Sequence, residues 1–88
     1  MTKVLTVYRK RPCVKCDMTI RYGKRLGYKV VVEELFDKDG NLNTVPKFYY
    51  DTYNYRVSPI VTLSEDNNLV DFWCDFQITK LNEYAPQK

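Results

Sequence analysis

Histidine is missing from all 88 residues of the chain. Without an imidazole there is no base for Cys–His hydrolysis or for the other histidine-dependent nucleophile schemes. Cysteine is scarce and odd in number, at three. An odd count argues against a disulfide framework of the secreted kind and for a reducing compartment, where a cysteine pair is catalytic or metal-binding. The sequence also lacks an apolar run of membrane-spanning length, an apolar leader with a small-residue cleavage site, internal repeats, low-complexity tracts and linkers. These absences predict a cytoplasmic protein with no membrane partner, folded as one domain over residues 1–88.

What is present is unevenly charged. Residues 1–29 hold nine basic side chains and one acid, 9 − 1 = +8, whereas residues 30–88 hold five and ten, 5 − 10 = −5. Such a split suits an acidic partner docking on one face, and it also suits a merely solvated helix face.

The hydrophobic pattern predicts seven elements. Lys3–Tyr8 is β-branched and aromatic and reads as a strand. From Cys13 the pattern turns helical, with Val14, Met18, Tyr22 and Leu26 four apart on the expected core face and Gly27 as the stop. Lys29–Phe36 carries three consecutive valines, suited to a parallel strand buried on both faces, and 37–41 is a charged turn. Thr44 is a candidate helix cap, with Pro46 in the first turn of a helix reaching Arg56. Ile60–Leu63 and Leu69–Trp73 read as a hairpin with a five-residue connection. Asp75–Tyr84 closes the chain as a helix whose Phe76, Leu81 and Tyr84 face the sheet. The order βαβαββα implies an α/β fold: a four-stranded mixed sheet, its first crossover right-handed and parallel, covered by three helices.

The chemistry is concentrated in Arg9-Lys10-Arg11-Pro12-Cys13-Val14-Lys15-Cys16-Asp17. A C-x-x-C pair can hold a metal, staple a fold or shuttle electrons. Zinc wants four ligands, and one further cysteine without any histidine does not supply them, so no metal is expected. A redox pair remains. With Cys13 at a helix N-terminus, unpaired N–H groups and the positive dipole end favour its thiolate, and Lys10, Arg11 and Lys15 add positive charge. Cys16, nearly a turn further in, is the less exposed thiol and suits a resolving role.

Three stretches carry a resemblance. Val7 to Cys16, V-Y-R-K-R-P-C-V-K-C, is similar to the V-Y-x-K-x-x-C-x-x-C opening of glutaredoxins and NrdH-redoxins, within the thioredoxin-fold superfamily. Val57-Ser58-Pro59 resembles their cis-proline segment, and Trp73-Cys74-Asp75-Phe76 resembles the W-x-G-F element of NrdH-redoxins. The resemblance implies a thioredoxin-like fold, dithiol–disulfide exchange by Cys13 and Cys16, and support of that site by Tyr8, Lys10, Pro12, Ser58 and Pro59. It implies a partner or glutathione groove along Arg11, Val14, Lys15, Val57, Trp73, Cys74, Asp75 and Phe76. It also implies ribonucleotide reductase or another disulfide-bearing protein as client, and thioredoxin reductase or glutathione as electron donor, with no bound cofactor. Thr44-Val45-Pro46 spells the same T-V-P as the glutaredoxin cis-proline element, but that assignment leaves no helix between the second and third strands.

Two positions depart from the glutaredoxin pattern. The Gly-Gly pair after the fourth strand is absent, with Asp75 where a glycine is expected, and Cys74 is either an inert thiol or a site of glutathionylation. A rival reading is a basic nucleic-acid-binding module, since Y-R-K-R and R-Y-G-K-R-L-G-Y-K interleave aromatic and basic residues. It accounts for the charge and leaves the C-x-x-C and Ser58-Pro59 without a role. A redox fold kept only as an adaptor is a third, against which the intact dithiol counts.

Overall fold

A computed structural model describes residues 2–86, and the seven elements follow in the expected order. They are β1 (Lys3–Arg9), α1 (Val14–Leu26), β2 (Lys29–Glu34), α2 (Thr44–Tyr53), β3 (Ile60–Glu65), β4 (Asn68–Cys74) and α3 (Ile78–Glu83). The sheet order is β2-β1-β3-β4, with β1 and β2 parallel and the other pairs antiparallel.

Strand alternation sorts the core into two layers. Leu5 and Val7 of β1 pair with Leu63 and Val61 of β3, and Val61 pairs in turn with Trp73 of β4. All five point to one face, where Tyr28 and Leu81 complete a fully covered cluster against α1 and α3. Residues one step out of phase, Tyr8, Ile60, Phe72 and Cys74, point the other way and meet Leu35 and Tyr49 beneath α2.

Several expectations are corrected. The three valines of β2 are not buried on both faces, because β2 is an edge strand and Val32 stays 39% exposed. On α1 the buried residues are Cys16, Thr19 and Gly23, not the Val14–Met18 end of the expected stripe. Close approach explains the choice: a Cβ on Gly23 would lie 2.8 Å from Leu5 Cδ2 and 3.2 Å from Val30 Cγ2, so only the small-residue face lets α1 lie this near the sheet. The α2 cap position falls on Asn43 rather than Thr44, and its amide instead donates to the Glu34 carbonyl at 2.8 Å. That helix ends at Tyr53, with Asn54 left-handed at φ 59°. The hairpin connection is two residues, Asp66 and Asn67, both at positive φ, a conformation whose twist matches the flanking strands. The last helix starts at Ile78 rather than Asp75 and spans six residues.

So short a helix needs tertiary ties. The buried Tyr28 hydroxyl donates to the Leu81 carbonyl, and Lys3 Nζ donates to the Tyr84 carbonyl at 2.8 Å. Asp71 on β4 accepts from Lys80 Nζ at 2.8 Å and from the Tyr84 hydroxyl at 2.9 Å. Burial raises the Asp71 pKa, but these two donors and the Phe72 N–H outweigh it and hold the carboxyl below its ordinary 3.8.

Candidate active site

Antiparallel pairing of β1 with β3 places the start of β3 beside the end of β1, Ile60 against Tyr8, and Ile60 also faces Cys74 at the end of β4. Three connections therefore meet at one end of the sheet: 10–13, 57–59 and 75–77. Every residue expected at the site except Tyr8, Trp73 and Cys74 lies in or just beyond these connections.

Cys13 is the N-cap of α1, as expected from its place after the strand and Pro12. It is half-buried, whereas Cys16 is fully buried, and the two are joined as a disulfide. The Cys16 N–H points at Cys13 Sγ at 3.1 Å, so the capping hydrogen bond is made by sulfur. Val14, between them, is 75% exposed. Ser58–Pro59 is a cis peptide bond, as expected; Arg11–Pro12 is cis as well. Pro46 lies buried in the first turn of α2, in keeping with its assignment as a helix-start residue.

Asp75 ties the last connection to the cis-proline segment and to the first turn of α1. Its N–H donates to the Pro59 carbonyl at 2.9 Å, and its Oδ1 pairs with Lys15 Nζ at 3.1 Å. The Phe76 N–H and then Lys15 hold its carboxyl below the ordinary 3.8. Its φ of 74° is the left-handed conformation that glycine adopts most freely, which is why a glycine is expected here and why aspartate fits with little strain.

Carboxylates compensate much of the positive charge around the dithiol. Arg11 pairs with Glu34 at 2.9 Å, and Arg9 lies between Asp17 at 3.5 Å and Glu34 at 3.9 Å. Of Lys10, Arg11 and Lys15, only Lys10 has no carboxylate partner among the described residues. It lines a groove of about 220 Å³ whose apolar wall is Leu35, Phe36, Leu42, Tyr55, Val57 and Ile60. Arg56, hydrogen-bonded to the Tyr50 carbonyl at 3.2 Å and stacked 3.6 Å over its ring, stands at the rim with Ser58.

Of the eight residues expected along a partner groove, only Val57 lines this one, and two of the others belong to the core on the opposite face. Trp73 is 2% exposed, stacked on Tyr84 in the α1/α3 layer, because alternation along β4 turns it away from α2. Phe76 packs against the same core, edge-on to Tyr22. Tyr8 and Cys74 sit in the α2 layer, and burial pushes the Cys74 thiol up, which makes it a poor thiolate at neutral pH. The sequence reading gave no role to Glu34 or Arg56: Glu34 reaches Arg9 and Arg11 only through the parallel pairing of β1 with β2, and Arg56 is placed by its contacts to Tyr50 at the end of α2. No cluster of candidate metal ligands is found among the described residues.

A β-sheet in this order, with a C-x-x-C opening the first helix and a cis-proline before β3, is a thioredoxin-like fold. Among solved structures the chain is similar to the glutaredoxin-like protein NrdH-redoxin from Escherichia coli, at 22% identity and TM-score 0.65, covering 97% of this chain and 99% of that one. It is also similar to mitochondrial thioredoxin 3 from Saccharomyces cerevisiae, at 16% identity and TM-score 0.61 over 94% and 76% of the two chains. Fasciola hepatica thioredoxin matches at 16% identity and TM-score 0.61 over 96% and 78%. No family model and no curated protein sequence matches the chain.

Proposed function

We propose that the protein is a thiol–disulfide oxidoreductase that reduces disulfides in client proteins. The observation that carries this reading is the unequal cysteine pair, a half-buried Cys13 capping α1 and bonded to a fully buried Cys16, at the end of the sheet that holds cis-Pro59. In the reduced protein the Cys13 thiolate attacks one sulfur of a client disulfide and releases the other as a thiolate. Cys16 then loses its proton and attacks Cys13 Sγ, expelling the second client sulfur and closing the Cys13–Cys16 disulfide. Two electrons pass to the client, which leaves as a dithiol after taking up two protons. A donor returns two electrons to the pair.

By resemblance the client is ribonucleotide reductase, in a reducing cytoplasm, and the donor is a thioredoxin reductase. Glutathione is the second reading for the donor, favoured by the unpaired Lys10 on the groove. The ionised Asp75 and its side-chain bulk weigh against it, since glutathione brings two carboxylates of its own. No helix among the described residues is long and apolar enough to cross a membrane.

The test is reduction of insulin disulfides by the full chain with an artificial dithiol as electron source. The parent protein is expected to accelerate it and Cys13→Ser to abolish the acceleration. An inactive parent protein would falsify the reading.

A further inference from the structure

Val14, Met18 and Tyr22 form an apolar stripe at helical spacing whose Val14–Met18 end the core leaves exposed, while Tyr22 packs against the core from its edge. Val14 is 75% and Met18 42% exposed, and Tyr22 is half-buried with its ring engaged by Phe76. Met18 and Tyr22, with Arg21 and Arg25, line a cleft of about 160 Å³. Neither guanidinium is paired with a carboxylate among the described residues, whereas Arg9, Arg11 and Lys15 beside the dithiol all are. The stripe begins inside the C-x-x-C itself.

We propose that this outer face of α1 is a docking track for an acidic, amphipathic segment of the client protein, with an aliphatic side chain in the cleft and carboxylates on Arg21 and Arg25. The inference rests on the oxidoreductase reading above. Charge complementarity selects an acidic occupant. The exposed apolar groups are an aliphatic and a thioether, which cannot stack bases, and the one aromatic of the cleft, Tyr22, is half-buried with its ring held by Phe76, so a protein segment suits the face better than a single-stranded nucleic acid. From Cys13 to Arg21 and Arg25 is eight to twelve residues of sequence, about 12–18 Å along the helix at its usual rise. An extended client chain covers that in about four to six residues from its reacting cysteine.

The track is tested with the pre-reduced full chain and three probes. One is a synthetic peptide disulfide followed, about five residues on, by Glu-Leu-Glu-Glu-Leu-Glu; the second carries Lys for each Glu; the third is hydroxyethyl disulfide. The glutamate peptide is expected to be reduced about tenfold faster than the lysine peptide at low salt, the gap closing at high salt. Arg21→Glu with Arg25→Glu should erase or invert that preference, and Met18→Ser should reduce it. Lys38→Glu with Lys47→Glu, an equal change of charge elsewhere, should keep it. Reduction of hydroxyethyl disulfide without any preference between the peptides sinks the track alone. Failure to reduce even hydroxyethyl disulfide sinks the oxidoreductase reading and the track with it. Salt-steep binding of single-stranded DNA that the double arginine variant abolishes, without a peptide preference, assigns the face to nucleic acid and overturns the proposal.

Discussion

Cys13 and Cys16 differ in exposure and in hydrogen bonding, and the difference assigns them unequal work. Cys13 can meet another protein, while Cys16 is sealed in and can reach only Cys13. Cys16→Ser is therefore expected to accumulate a mixed disulfide with its client, seen as a band sensitive to reductant on electrophoresis, and Cys13→Ser to form none; trapping by Cys13→Ser instead would reverse the roles. The Cys16 N–H aimed at Cys13 Sγ, together with the helix N-terminus, favours the thiolate of Cys13 once the disulfide is reduced. Its titration by thiolate absorbance should fall below the ordinary value of about 8.5 for cysteine. Lys10→Gln should raise it only modestly, since Lys10 is exposed and its field is screened. A large shift on removing Lys10 would mean that a single charge, rather than the helix end, activates the sulfur.

At the scale of elements, two contacts decide how the helices sit. Gly23 lets α1 approach β1 and β2, and a larger side chain there must displace Leu5 or Val30, both packed in or against the core. Gly23→Val is expected to cost roughly 1–3 kcal/mol, read as a lower urea midpoint at unchanged slope. The second contact is Asp71, which fastens α3 to β4 through Lys80 and Tyr84. Its folded-state pKa lies below the ordinary 3.8, so its contribution to stability is present above that value and is lost as pH falls through the lower, folded one. Thermal unfolding followed from about pH 5 to about pH 2 should show a smaller fall in midpoint for Asp71→Asn than for the parent protein. An equal fall in both would place the acid sensitivity on other carboxylates.

For the molecule as a whole, the open question of the electron donor turns on how the three connections are joined. Asp75 holds Lys15 of the dithiol segment and the Pro59 carbonyl together, and it places a carboxylate beside the C-x-x-C turn. Glycine adopts its backbone conformation without strain, so Asp75→Gly removes charge, bulk and the Lys15 pair while keeping the N–H bond to the Pro59 carbonyl. The parent protein is expected to be reduced faster by a thioredoxin reductase than by glutathione, and Asp75→Gly to narrow the gap in coupled NADPH-oxidation assays. Efficient turnover of the parent with glutathione, and none with any thioredoxin reductase, would move the donor assignment while leaving the dithiol chemistry in place.

By itself the sequence determined what neighbours along the chain can decide: a thiol at a helix start after a strand, Gly27 as that helix's stop, the βαβαββα order, and Pro59 rather than Pro46 before the hairpin. Capping, backbone freedom and strand pattern act over a few residues, so their signals are local. Tertiary structure alone decided which face of α1 is buried, that the valine-rich β2 lies at the sheet edge, that Trp73 is core, and that Asp75 braces the site. An apolar stripe states only that a surface is apolar. What it meets depends on strand order and on how closely backbones approach, and here a glycine under α1 set the buried face and left Val14 and Met18 facing outward, beside the dithiol.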